Sequence, residues 1–315
     1  MSLASARARP WGRRLGASVI AGLLVGLLLL NLWLNPARLA PAGILTTIGL
    51  VAPLLLAAVA TTPAILSGGG GIDISIGPMI GLLNVVMVRY LFLEGIESPL
   101  AVIPAVLVAG TLLGTLNGLL VVGVRLPPIV ATLGTYLVFA GLAPWVMNRP
   151  GGSVPGWLPE LAHDLSWVLP VLIAGLWLVL VRTPFHGYLM ATGGSAKAAF
   201  ASGVDVARVR LVAYALGGLF AGAAALALTA LLGSGDPNIG APITLKAIAA
   251  VALGGVSLAG GRGGLVGAAV GALVIYQLDL VLTRTGLSTF LLQLIYGLVL
   301  VAAVVFNSVV ARRRW

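Results

Sequence analysis

Apolar runs of roughly twenty residues follow one another from Leu15 to Val310, separated by short stretches where glycine, proline and the charged residues gather. About twenty apolar residues are what an α-helix needs to cross the hydrocarbon core of a bilayer. The pattern predicts helices at 15–34, 44–66, 76–93, 100–122, 128–147, 167–182, 209–232, 243–258, 264–283 and 290–310. The expected fold class is therefore an all-α integral membrane protein. It is a polytopic bundle of about ten transmembrane helices with short loops, forming a single domain over residues 1–315.

Composition agrees with the pattern. Hydrophobic residues make up 60% of the chain and charged residues 8%, against about 25% charged in ordinary soluble domains. The absence of cysteine excludes disulfides and thiolate metal sites. The net charge of +10 is spread through the loops, which is a mark of topology rather than of nucleic-acid binding. Arg7, Arg9, Arg13 and Arg14 precede the first run, which reads as an uncleaved helix rather than a signal peptide. With that end inside, alternate loops carry Arg125, Arg182, Lys197, Arg208, Arg210 and Arg262, and the tail carries Arg312, Arg313 and Arg314. The opposite side receives Arg38, Arg149, Lys246 and Arg284, with Glu94, Glu97, Glu160, Asp164 and Asp236. The Lys/Arg asymmetry places both termini in the cytoplasm. Trp33, Trp145, Trp157 and Trp167 fall near the expected outer boundary, as interfacial aromatics do.

Known energy-transducing and catalytic motifs are missing. A P-loop requires Lys after Gly, but Lys197 follows Ala196 and Lys246 follows Leu245. His163 and His186 form no HExxH, and there is no GxSxG. No catalytic residue, metal site or cofactor is expected. The chain moves a solute down a gradient, couples it to ions, or draws energy from a partner.

The longest expected inside segment runs from Arg182 to Arg210. Its centre, SAKAAFAS, is long enough for about two helical turns, with Ser195 to cap the start and Gly203 to end it. So short a helix is marginal alone. It is either an ordinary loop helix lying on the bundle or a knob for a groove on a partner.

At this point the chain resembles the permease subunit of bacterial ABC importers for simple sugars, the ribose/xylose/galactoside type. The resemblance rests on GGGGIDISIG at 68–77, NGLLVVGVRLPPIVATLGT at 117–135 and GYLMATGGSAKAAFASGVDVARVRLVAYALGGLFAG at 187–222. LGSGDPNIG at 232–240 and AIAAVALGGVSLAGGRGGLVGAAVGAL at 247–273 complete it. It implies a multi-pass protein of the bacterial inner membrane that works without an ATPase motif of its own. Its implied partners are ABC ATPase subunits in the cytoplasm, an extracytoplasmic solute-binding protein, and a second permease, either a copy or a paralogue. It also makes the loop over about 183–208 a coupling loop, with Gly193, Gly194, Ser195, Ala198, Ala199, Phe200 and Gly203 as the ATPase-coupling residues. The family usually carries acidic residues where this chain has Ala196 and Lys197. The alternatives are an ion-coupled secondary transporter and an ABC permease for a nucleoside or branched-chain amino acid.

SGGGGIDISIG, from Ser67 to Gly77, breaks an otherwise apolar region. It reads as a glycine turn with Asp73 capping the third helix, or as a broken helix beside a translocation path. Asp73, Ser75, Asn84, Asn117, Thr132 and Thr135 are the candidates for that path; interhelical hydrogen bonding is the alternative for Asn84, Asn117, Thr132 and Thr135, as it is the reading for Arg89, Asp279 and Gln293. Asp279 is a possible partner for Arg89. On the outside, Arg38, Arg149 and Arg284 are candidates for docking the binding protein, or else anchors that snorkel to the interface.

Overall fold

The computed structural model describes residues 11–36, 40–284 and isolated helical positions between 291 and 305. Arg7, Arg9, Arg38, Gln293 and Arg312 to Arg314 lie outside the described residues, as does much of the expected last span. The elements are α1 (Trp11–Leu34), α2 (Pro41–Leu66), α3 (Ile76–Tyr90), α4 (Pro99–Val122), α5 (Pro128–Val146) and α6 (Trp157–Glu160). They continue with α7 (Val168–Val181), α8 (Pro184–Gly194), α9 (Ala196–Ala201), α10 (Val206–Leu232), α11 (Gly240–Leu253) and α12 (Leu265–Arg284).

Among the described residues, six helices are long and apolar enough to cross a membrane. They are α2, α4, α5, α10, α12 and the unit Ile76–Glu94, in which a 3-10 turn extends α3. α7 and α8 make a seventh if taken as one span, although they bend by 81° at their junction. The sequence reading missed α8 and treated it as loop. Its start is locally encoded: Thr183 is extended, and Pro184 occupies the first turn, where its missing N–H costs nothing.

The centre of the bundle is α10, packed against α2 on one side and α4 on another. Close approach replaces side-chain interdigitation here. Gly110, Gly114 and Gly118 recur every fourth residue on α4 and face Gly218, Gly222 and Tyr214 of α10. A Cβ on Gly218 would meet Gly110 O and lie 2.8 Å from the Gly114 Cα. In lipid, helix association depends on such backbone contact, because tails compete for every apolar side chain. Gly218→Val is therefore expected to destabilise the bundle by about 1–3 kcal/mol through overpacking. A lower thermal midpoint and less monodisperse protein in detergent would record it; an unchanged midpoint would show that the seam has slack. On the outward faces of α4 and α5, Leu100, Leu112, Leu137 and Trp145 are exposed, as befits surfaces facing lipid or another apolar chain.

α11, and α3 without its 3-10 extension, are short. At about 1.5 Å per residue, α11 with 14 residues and α3 with 15 each fall well below the roughly 30 Å of a hydrocarbon core. An irregular segment precedes each one: 67–75 before α3, and 233–239 before α11. Gly77 and Gly81 of α3 pack on Gly240, so the two short helices meet near their starts.

Candidate translocation and coupling site

The glycine segment enters from the end of the bundle that carries Arg125, Arg182, Lys197, Arg208, Arg210 and Arg262, here termed the basic end. Gly68, Gly69 and Gly70 all have positive φ, between 65° and 75°, which only glycine adopts without penalty. The run turns the chain sharply after α2. Residues 72–75 then pass among the helices as irregular backbone, which is tolerated in a membrane protein only where protein or water surrounds it.

Three helices satisfy that segment. Asp73, which is 1% exposed, accepts at Oδ1 from Ser75 N (2.9 Å) and Ser75 Oγ (2.7 Å). Asn117 of α4 donates from Nδ2 to Asp73 Oδ2 (3.1 Å) and to Ser75 Oγ (2.7 Å). Thr132 of α5 donates to Ile72 O (3.1 Å), and Thr244 of α11 to Ile74 O (3.2 Å). Tyr214 of α10 is buried within electrostatic reach of both Asp73 and Arg210. Two buried polar atoms beside this cluster, Asn117 Oδ1 and Tyr214 OH, have no hydrogen-bond partner. The cluster is thus closely bonded on one side and has unused capacity on another.

The expected cap is corrected by this geometry. Asp73 does not cap α3; the residue before its first turn is Ser75, which makes no side-chain cap bond. The carboxylate instead folds back on its own backbone two residues on, as an Asx turn does. Burial of a carboxylate within a bilayer costs about 2.5–3.5 kcal/mol on insertion scales; the three donors to Asp73 counter part of its desolvation.

A second polar cluster lies further along α3. Asn84 donates to Thr229 Oγ1 (2.8 Å) and Ser234 O (3.1 Å), and its Oδ1 accepts from Asp236 N (2.8 Å). It thereby pins the irregular segment before α11. A small cavity lies beside it, lined by Pro78, Gly81, Ala140, Pro237 and Asn238 among others. Thr135 joins neither cluster, since its hydroxyl bonds to Ala131 O and Thr132 O within its own helix. Arg89 pairs with Glu94 (2.8 Å) rather than with Asp279. Asp279 pairs instead with Lys246 of α11 (2.8 Å), which lies in a helix and not in an outer loop. Sequence reasoning missed Thr229, Thr244 and Tyr214. The first two are ordinary helix threonines, and only the fold brings Thr229 to the Asn84 side chain and Thr244 to the broken backbone at Ile74.

The short helix at the basic end takes the expected form. Ser195 Oγ accepts from Ala198 N (3.2 Å), and Gly203 closes α9 at φ 83°. Ala199 turns into the bundle, whereas Phe200 is 73% exposed beside Ala198 and Lys197. The junction before α9 is packed backbone to backbone on the glycine turn. A Cβ on Gly193 would meet Leu66 O and Gly261 N, and one on Gly68 would lie 2.7 Å from the Gly193 Cα. Gly261 N also donates to Leu66 O (3.1 Å). α8–α9, the α11–α12 turn and the glycine segment therefore meet at one point, a few residues from Asp73. At the opposite end Arg149 and Arg284 are exposed.

A bundle of apolar helices, two of them preceded by irregular segments held in buried polar clusters, is the architecture of an integral membrane protein. The chain belongs to the family described as "Branched-chain amino acid transport system / permease component", whose profile matches residues 43–304. It is 36% identical over 304 residues to the ribose import permease protein of Bacillus subtilis (strain 168), covering 91% of this chain and 90% of that protein. It is 34% identical over 263 residues to the autoinducer 2 import system permease protein of Escherichia coli (strain K12 / DH10B), covering 81% and 76%. The corresponding protein of Klebsiella pneumoniae is 36% identical over 299 residues, covering 90% and 84%. No solved structure matches the chain. The protein is a multi-pass permease subunit of an ABC importer in the bacterial inner membrane, and ATP hydrolysis resides on a separate subunit.

Proposed function

We propose that the chain forms the translocation path for a simple sugar or related polyol. In this reading a loaded binding protein docks outside, and ATPase subunits drive the cycle from the cytoplasm through α9. The relatives' names, ribose and autoinducer 2, favour a sugar-like solute over the amino acid in the family's description. The structural observation that carries the mechanism is the backbone contact of Gly193 with Leu66 and Gly68. A displacement of α8–α9 cannot leave the glycine turn, and hence the Asp73 segment, unmoved, because packed backbones do not compress. Asp73, Ser75, Asn117 and Thr132 hold that segment, and Asn84 holds the opposite one. Gly193, Gly194, Ser195, Ala198, Phe200 and Gly203 shape the coupling element, and Ala199 seats it on the bundle.

The full topology in this reading has about ten spans with both termini in the cytoplasm. α1 and the residues around 291–305 complete the set, and α11 spans together with its irregular entry segment. Two permease chains, identical or paralogous, enclose the path. Uptake of a labelled panel of pentoses, hexoses and polyols into proteoliposomes, with the cognate binding protein and ATPase, tests the substrate class. Saturable ATP-dependent uptake of a sugar supports it; uptake of leucine or a nucleoside in its place overturns it.

Docking of the binding protein is assigned to the outer basic residues, including the exposed Arg149 and Arg284. Complementary charge speeds encounter without tight binding. Arg149→Glu with Arg284→Glu is expected to reduce binding-protein stimulation of ATPase activity several-fold, and high salt to reduce the wild type similarly. Unchanged stimulation and salt dependence would leave both arginines as interfacial anchors.

A further inference from the structure

At the basic end a cleft of about 500 Å³ opens between α9, the α4–α5 turn and the first turn of α10. Val122, Leu126 and Pro128 form an apolar wall, Phe200 of α9 lines the cleft as well, and Arg125 and Arg210 bring two guanidinium groups to it. Asp205 also borders the cleft, but its carboxylate is already engaged: Oδ1 accepts from Arg208 N (3.0 Å), and Oδ2 pairs with Arg208 Nε (3.0 Å). Neither Arg125 nor Arg210 has an ion pair among the described residues. Arg210 Nε is buried without an acceptor, a donor left waiting in a partly buried side chain. Arg125 is the only non-glycine described with positive φ, at 63°. It is held there as the chain turns between Val124 N→Leu119 O (3.1 Å) and Leu126 N→Leu120 O (3.1 Å). A strained, charged residue at the mouth of a cleft, opposite a guanidinium whose Nε–H lacks an acceptor, describes a receptor for a carboxylate on an apolar stem.

We infer that this cleft is a second docking site for the cytoplasmic ATPase subunit, and that it receives an acidic side chain from that subunit. The occupant follows from continuity. Phe200 belongs both to the exposed knob of α9 and to the cleft lining, so a protein that grips α9 covers the cleft mouth. The charge follows from the two unpaired guanidinium groups, and Arg forks match carboxylate geometry. The inference rests on the coupling role proposed for α9. The site divides the contact into an apolar grip at Phe200 and an ionic one in the cleft, so the two parts respond differently to salt.

The test is equilibrium binding of the cognate ATPase subunit to the purified permease in nanodiscs, across a range of sodium chloride. The variants are Arg125→Glu, Arg125→Ala, Arg210→Glu, the double reversal and Phe200→Asp, each first shown to be monodisperse. Arg125 is exposed, so its two variants preserve the fold even if Arg210→Glu does not. The double reversal is expected to weaken binding by about tenfold or more and to flatten its salt dependence. Arg125→Ala gives a smaller loss of the same kind. Wild-type affinity and salt dependence in both Arg125 variants would overturn the cleft, and loss of binding in Phe200→Asp would then show that the coupling reading survives without it. Wild-type affinity in Phe200→Asp would instead refute the coupling reading. A loss of affinity in wild type on removing phosphatidylglycerol, absent from the Arg125 variants, would place a lipid headgroup in the cleft and overturn the proposal.

Discussion

Phe200→Asp is expected to abolish ATP-driven uptake while leaving insertion, yield and thermal midpoint unchanged. Phe200 is 73% exposed and holds nothing in the bundle together, so the fold loses little when it is replaced. A carboxylate in its place would be buried unpaired in any apolar groove that grips α9, and burial of an unpaired charge is strongly unfavourable. Aromatic anchors at interfaces commonly contribute about 2 kcal/mol or more, so uptake should fall at least about tenfold. Phe200→Leu, which keeps an apolar knob, should retain a substantial part of it. Parallel assays of uptake and of ATPase stimulation by the binding protein check the expectation. Normal values of both in Phe200→Asp would remove α9 from the coupling route.

The second large effect concerns Asp73. Asp73→Leu removes the acceptor for Ser75 N, Ser75 Oγ and Asn117 Nδ2 at once. Donors left unsatisfied in a buried site cost about 1–3 kcal/mol each, and the segment they fix connects the glycine turn to α3. Transport should fall to background, with a lowered thermal midpoint. Asp73→Asn keeps an oxygen for Ser75 but turns an amide N–H₂ toward Asn117 Nδ2, setting donor against donor. It should therefore be intermediate in both measurements. If Asp73→Leu retains wild-type uptake and midpoint, the Asx turn is dispensable and the break is held by Thr132 and Thr244 alone.

Much of this architecture was legible in the sequence because lipid imposes a simple rule. Each span must satisfy its own backbone, so apolar length alone located α2, α4, α5, α10 and α12. α9 was legible for a local reason: Ser195 and Gly203 bracket it, and both signals act within a few residues. α8 was not, because its eleven residues mix Gly187, Thr192 and His186 with apolar ones and carry no hydrophobic run. The polar clusters were legible only as residue types. Asp73, Ser75, Asn117 and Thr132 meet in the structure, but nothing local shows that Asn117 lies beside Asp73, 44 positions away in the chain. For the same reason Asp279 finds Lys246 rather than Arg89. Such pairs depend on helix order and register, and hydropathy does not encode either. Tyr214 was similarly hidden, since the run of Val, Ala and Leu around it reads as plain span, and Arg210 was legible only as a basic loop residue.

The measurement that bears most directly on the account is uptake of labelled ribose or its cognate sugar into proteoliposomes. They would contain the permease with the ATPase subunits, ATP enclosed at the cytoplasmic side and binding protein added opposite. The account predicts uptake that requires ATP, ATPase and binding protein together, and that is unchanged when sodium and proton gradients are collapsed. Uptake by the permease alone, driven by an imposed ion gradient and indifferent to ATP, would contradict it and make the break at Asp73 an ion-coupling site.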